Sequence, residues 1–244
     1  MPNSCHDAAS AAHSSPFDTT QWSVVLLAGA GAPEALERLC RAYWPPLYAY
    51  ARRDGLSPED AEDAVQEFIL ILLRRGNLRT VAPELGRFRS FLLRAFINTL
   101  VTRARAAAAQ KRGGGHAPLR MDDLTAEQLC RPELVDGLTP ERAFDRAWAR
   151  TVMARALECL GREQSTPQQR AVMGAVQPAL SGSGRMENAA ELAAGLGMSP
   201  GALATAATRL RQRYRTLIEH EVTATLSSPD QLADEMQTLR AVWT

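Results

Sequence analysis

An all-α chain is the fold class this sequence predicts: two small helical domains joined by a flexible linker, the second containing a helix-turn-helix, with a C-terminal helical extension. Three observations predict it. A hydroxyl residue directly before proline recurs at Ser57-Pro58, Thr139-Pro140, Thr166-Pro167, Ser199-Pro200 and Ser228-Pro229, a pairing that suits an N-cap followed by the first helical position. Each pair precedes apolar residues spaced three and four apart, the period of one helix face. No stretch sustains the period of two that a half-buried strand requires. With 244 residues, 45% hydrophobic and 23% charged, the chain has length for one or two domains, and its composition is not collagen-like, disulfide-scaffolded or disordered.

The elements follow in order. Residues 1–16 are polar and read as a disordered tail. A first domain, 17–112, begins with helices at 20–29 and 33–53, the second expected to break near Pro45-Pro46 because interior prolines remove ladder donors. Residues 57–75 read as one helix. The apolar run from Phe68 to Leu73 continues a segment in which Asp60 completes a capping box with Ser57. Phe88 to Gln110 is a long basic amphipathic helix ending at Lys111-Arg112-Gly113-Gly114-Gly115. Residues 113–138 lack a firm period and are too long for a loop inside a compact domain, so they read as the linker. The second domain, 139–226, carries helices at 139–161, 166–180, 188–195 and 199–219. The extension, 227–244, carries a helix at 229–243 with Leu232, Met236, Leu239 and Trp243 on one stripe and Asp230, Asp234 and Glu235 opposite; packing on the second domain is the expected role, binding a regulator the alternative.

Charge placement is more informative than the near-zero balance of 28 basic and 27 acidic residues. Residues 54–67 hold six acids and no base, whereas 85–120 hold seven Arg plus Lys111 and no acid. The helix macrodipole accounts for Glu59 and Asp60 at a helix start, but not for Asp63 and Glu67 one turn apart with Gln66 between them. That edge is either a solvated face or a docking face for a basic partner. The basic stretch interleaves aromatics: Arg87, Phe88, Arg89 and Phe91, then Arg94, Asn98, Arg103 and Arg105. Guanidiniums neutralise phosphates while aromatics stack on unpaired bases, the chemistry that grips single-stranded nucleic acid; the phenylalanines read equally as core.

In the second domain, Asn188 to Leu203 is a short helix, a turn at Gly197 where glycine supplies the left-handed conformation, and a capped second helix. In this helix-turn-helix pattern the second helix is able to lie in the major groove of DNA. Leu203, Ala207, Leu210, Tyr214 and Leu217 form its core stripe. The other face carries Thr205, Thr208, Arg209, Arg211, Arg213 and Arg215, and 199–218 contains no acid. Duplex binding through phosphates is one reading, a solvated helical hairpin the other.

Other classes find no support. The longest apolar run is far short of the roughly 20 residues that cross a bilayer, and no secretory leader opens the chain, so a cytoplasmic location is expected. Four scattered cysteines and four scattered histidines read as reduced thiols and no metal site. There is no nucleophile-base pairing and no phosphate-binding glycine loop in a strand-turn-helix frame, so neither catalysis nor a cofactor is expected.

The strings Phe17-Asp-Thr-Thr-Gln-Trp-Ser23, Tyr43-Trp44 with Leu47-Tyr48-Ala49-Tyr50, Ser57-Pro-Glu-Asp-Ala-Glu-Asp-Ala-Val-Gln-Glu-Phe68, Gly86-Arg-Phe-Arg-Ser-Phe-Leu-Leu93, Gln110-Lys-Arg-Gly-Gly-Gly115 and Asp136-Gly-Leu-Thr-Pro-Glu-Arg142 occur in that order. Together with the helix-turn-helix, this arrangement resembles the extracytoplasmic-function sigma factors of bacterial RNA polymerase over about residues 17–243, most closely those with a long inter-domain segment and a C-terminal extension. The resemblance implies core polymerase as a partner. The first domain would dock on the β′ clamp helices through Asp63, Gln66 and Glu67, and the β subunit would also be contacted. Residues 76–105, with Arg87, Phe88, Arg89, Phe91, Arg94, Asn98, Arg103 and Arg105, would hold the melted strand of the downstream promoter element. Residues 199–215, with Ser199, Ala204, Thr205, Thr208, Arg209, Arg211 and Arg213, would read the upstream element as duplex. An anti-sigma factor or other regulator is a further partner the resemblance allows. Ala204 departs from the family, whose members often carry a basic residue there. Two alternatives stay open: a helix-turn-helix regulator that does not bind polymerase, which has no need of the acidic helix, and a degenerate sigma-like adaptor, which Ala204 favours.

Overall fold

The computed structural model describes residues 33–74, 88–110, 137–181, 188–223 and 229–241, with Met186 and Leu226. Among these residues every regular element is helical: α1 (Pro33–Arg53), α2 (Pro58–Arg74), α3 (Phe88–Gln110), α4 (Pro140–Arg162), α5 (Pro167–Ser181), α6 (Ala189–Gly195), α7 (Pro200–Thr223), a 3₁₀ turn (Pro229–Gln231) and α8 (Leu232–Ala241). The expected tail, the helix at 20–29, most of the 113–138 linker, Arg87, Ser228 and Trp243 lie outside the described residues.

The helix starts use the expected caps. Ser57 Oγ accepts the Asp60 N–H at 3.1 Å and donates to Asp60 Oδ2 at 2.9 Å. Thr166 Oγ1 accepts the Gln169 N–H at 3.2 Å while Gln169 Oε1 accepts the Thr166 N–H at 3.0 Å, a reciprocal capping box. Ser199 Oγ accepts the Ala202 N–H at 3.2 Å, and Thr139 Oγ1 accepts the Arg142 N–H at 3.3 Å. Thr139→Ala removes the last of these and is expected to cost about 1 kcal/mol. The loss should appear as a lower urea midpoint with an unchanged slope.

The tandem prolines do not break α1, which runs unbroken from Pro33 to Arg53. Each interior proline costs a helix about 3 kcal/mol, so tertiary packing has overridden local propensity. The burial explains how: Tyr43, Leu47, Tyr48, Ala49, Tyr50 and Ala51 are all buried. The helix then ends at Asp54-Gly55, where Gly55 is left-handed (φ +101°) and the Leu56 N–H returns to the Ala51 carbonyl at 3.1 Å.

Helix α4 is the hub. Its contact with α1 is the most extensive between any two helices among the described residues, and it also packs against α7, α5 and α8. One continuous buried cluster therefore runs from Leu39 in α1 through Phe68, Phe88 and Phe96 to Trp148 and Leu160 in α4, and on to Leu217 and Leu239. The N-terminal and C-terminal halves thus share a core in this arrangement. Arg53 ties them further, its Nε and Nη2 donating to the Leu138 carbonyl at 3.0 and 2.6 Å. A second, smaller cluster of Val172, Val176, Ala193, Leu203 and Ala207 holds α5, α6 and α7 together.

Helix α8 places Met236 and Leu239 in the core, as its stripe predicts, and packs on α7 and α4. Glu235, expected on the opposite, solvent side, is instead fully buried. The reason is an arginine that reaches it from the first half of the chain.

Candidate functional site

Helices α2 and α3 bring the segregated charges together. Arg103 of α3 lies 3.2 Å from Glu67, 3.6 Å from Asp60 and 4.0 Å from Asp63. The acidic edge therefore has a cation of its own chain against it, and Asp60, assigned from sequence to the helix cap alone, belongs to that edge. Gln66 is half-buried, while Glu67 keeps half its side-chain surface in solvent. Beside the edge is an open groove of about 330 Å³ whose lining includes Leu56, Ile97, Leu100 and Val101. Val101 is among the few large exposed apolar residues.

The eight residues expected to meet a single strand separate into groups. Phe91, Arg94, Asn98 and Arg105 fall at spacings of three, four and seven along one side of α3; Phe91 is half-buried and the other three are exposed. This stripe carries the exposed members of the expected interface among the described residues. Phe88 is fully buried, edge-on to Tyr43 at 5.3 Å, so in this arrangement it is core and offers no face for a base. Arg103 faces the acids of α2, and Arg87 lies outside the described residues.

Arg89 is buried too. Its Nε and Nη2 donate to the two carboxylate oxygens of Glu235, the second at 2.9 Å, and its Nη1 donates to Asp145 Oδ1 of α4. The guanidinium carbon lies 4.8 Å from the centre of the Trp148 ring, a cation–π geometry. Burial acts to lower the pKa of Arg89, but the Glu235 hydrogen bond and the Asp145 charge outweigh it and hold the guanidinium above its ordinary value. Burial pushes the Asp145 carboxyl up despite Arg89. Close by, the Tyr43 hydroxyl is buried without a hydrogen-bond partner, and burial moves its pKa upward. Buried Glu221 of α7 pairs with Arg155 of α4 at 3.4 Å, and burial pushes Glu221 up as well. The seam between the halves is therefore polar at its centre.

In the helix-turn-helix the turn is as expected: Gly197 is left-handed (φ +65°), and the Met198 N–H returns to the Ala193 carbonyl at 2.9 Å. Leu203, Ala207, Tyr214 and Leu217 are buried and Leu210 half-buried, and the Tyr214 hydroxyl donates to the Met153 carbonyl of α4 at 3.1 Å. Ser199, Ala204, Thr205, Thr208 and Arg209 are exposed and Arg211 is half-buried. Thr205 and Thr208 donate their hydroxyl protons to the carbonyls of Gly201 and Ala204, which leaves oxygen lone pairs facing outward. Residues 199–218 contain no acid, yet Arg213 makes a forked contact with Glu163 at the end of α4, at 2.5 to 3.1 Å, and Arg215 pairs with Glu219 at 3.0 Å. The positive face is thus partly neutralised from outside the window, leaving Arg209 at its exposed end.

Among the described residues no helix is long and apolar enough to cross a membrane. Residues 39–110 match the family model described as Sigma-70 region 2. The match runs from Leu39 in α1 to the last residue of α3 and so contains both charged helices. No curated protein and no solved structure matches the chain.

Proposed function

We propose that this protein is a sigma factor of the extracytoplasmic-function type, which binds core RNA polymerase and directs it to a particular class of promoter. The observation that carries the reading is the coincidence of the region 2 match with the acid and base segregation on α2 and α3. Core polymerase docks on the Asp63, Gln66 and Glu67 edge, with the adjoining groove available for an apolar side chain of the clamp. The Phe91, Arg94, Asn98 and Arg105 stripe faces the melted downstream element, and the helix-turn-helix faces upstream duplex. Run-off transcription with bacterial core polymerase on random-promoter DNA tests this directly. The reading requires transcripts with defined start sites that depend on the added protein; core activity unaltered by the protein would refute it.

Duplex contact at α7 is expected to be mainly phosphate contact. Ala204 offers no hydrogen bond to a base edge, and the threonines reach bases only at short range. Arg209→Ala should weaken binding on all sequences and reduce the log–log salt slope by about one. Loss of discrimination at a single base pair with an unchanged salt slope would instead make Arg209 a base reader.

A further inference from the structure

We infer that α8 is a releasable latch: Glu235 takes the place of a nucleic-acid phosphate on Arg89 and holds the start of α3 shut against α4. The inference rests on the proposed function for the identity of the displaced ligand.

Its basis is the geometry around one guanidinium. Arg89 belongs to the basic stretch whose other exposed members form the α3 stripe, yet its own donors are taken by two carboxylates, one from α4 and one from α8. The forked contact with Glu235 uses the donor geometry with which arginine holds a phosphate.

Two features make the closure reversible. Helix α8 spans only Leu232–Ala241, too short to persist in water by itself, so its position depends on tertiary packing, in which Leu232, Met236, Leu239 and the Glu235 pair take part. The seam it closes is also ionic where Arg89 meets Asp145 and Glu235, near the partnerless Tyr43 hydroxyl. A permanent core gains little from such pairs, since apolar residues of equal volume serve as well or better. Surfaces that must also face water or a charged ligand need polar groups there. Opening the seam frees Arg89, adding a cation to the end of the stripe.

The test is single-stranded DNA binding by the full chain, measured by fluorescence anisotropy of a labelled oligonucleotide. Glu235→Gln keeps the volume of the side chain and removes its charge. It should raise affinity about tenfold, the scale of one charge-assisted contact. Asp145→Ala, at a partly exposed position, should give a smaller gain in the same direction. Both gains should vanish when Arg89→Ala is added. Folded variants, verified by circular dichroism, that bind as the wild type does would overturn the latch, as would gains that survive Arg89→Ala. Should Glu235→Gln fail to fold, Asp145→Ala decides by the same criterion. Polymerase is absent from the assay, so the latch can fail while run-off transcription succeeds, and the reverse.

Discussion

Reversing Asp63 and Glu67 together to lysine is expected to abolish association with core RNA polymerase. Both side chains are accessible, and their present partner, Arg103, is itself partly exposed at 3.2 to 4.0 Å. An exposed pair of this kind contributes roughly 0–1 kcal/mol to folding, so two lysines beside Arg103 should disturb the helix little, and far-ultraviolet circular dichroism should be nearly unchanged. Docking differs because the pair becomes desolvated against a partner. Losing one hydrogen-bonded charge across an interface costs about 2–5 kcal/mol, and reversal adds repulsion. A loss of about a thousandfold or more in affinity is therefore expected, read as disappearance of co-purification with core. Undiminished co-purification would remove the docking face from α2.

The largest loss of stability is expected from Trp148→Ala. Trp148 is 2% exposed at the centre of the cluster common to both halves, and its ring carries the Arg89 guanidinium. Truncating a buried tryptophan to alanine costs about 3–5 kcal/mol, a large share of the roughly 5–15 kcal/mol that holds a typical domain folded. Urea denaturation followed by circular dichroism should show the shift, whereas Leu70→Ala, at an exposed position, should move the midpoint little. A cost below about 1 kcal/mol would mean that α4 does not pack as described.

The local devices could be read before any coordinates. Hydroxyl–proline pairs mark helix starts because a cap acts within three residues, and Gly197 marks the turn because a positive φ is a property of one residue. The unbroken α1 could not be read so, since the packing that offsets Pro45 and Pro46 comes from α4, about a hundred residues further along the chain. The same distance hid the site residues that differ from expectation. Glu235 meets an arginine 146 residues earlier, and Arg213 meets Glu163 50 residues away. In a window of twenty residues Arg89 is one more member of a basic run and Glu235 one more acid on a polar face. What joins them is tertiary, and one sequence without its relatives holds no record of that pairing.

The 146-residue separation also has a meaning in time. A ribosome adds roughly 5–20 residues per second, so Arg89 precedes Glu235 by about 7–30 s during synthesis. Once Gln110 has been added, the nascent chain contains the whole segment that matches region 2 but not yet the carboxylate that pairs with Arg89. A newly made molecule therefore holds Arg89 before it has Glu235 to pair with it, and a partner arriving at the ribosome meets a different surface from one arriving after release.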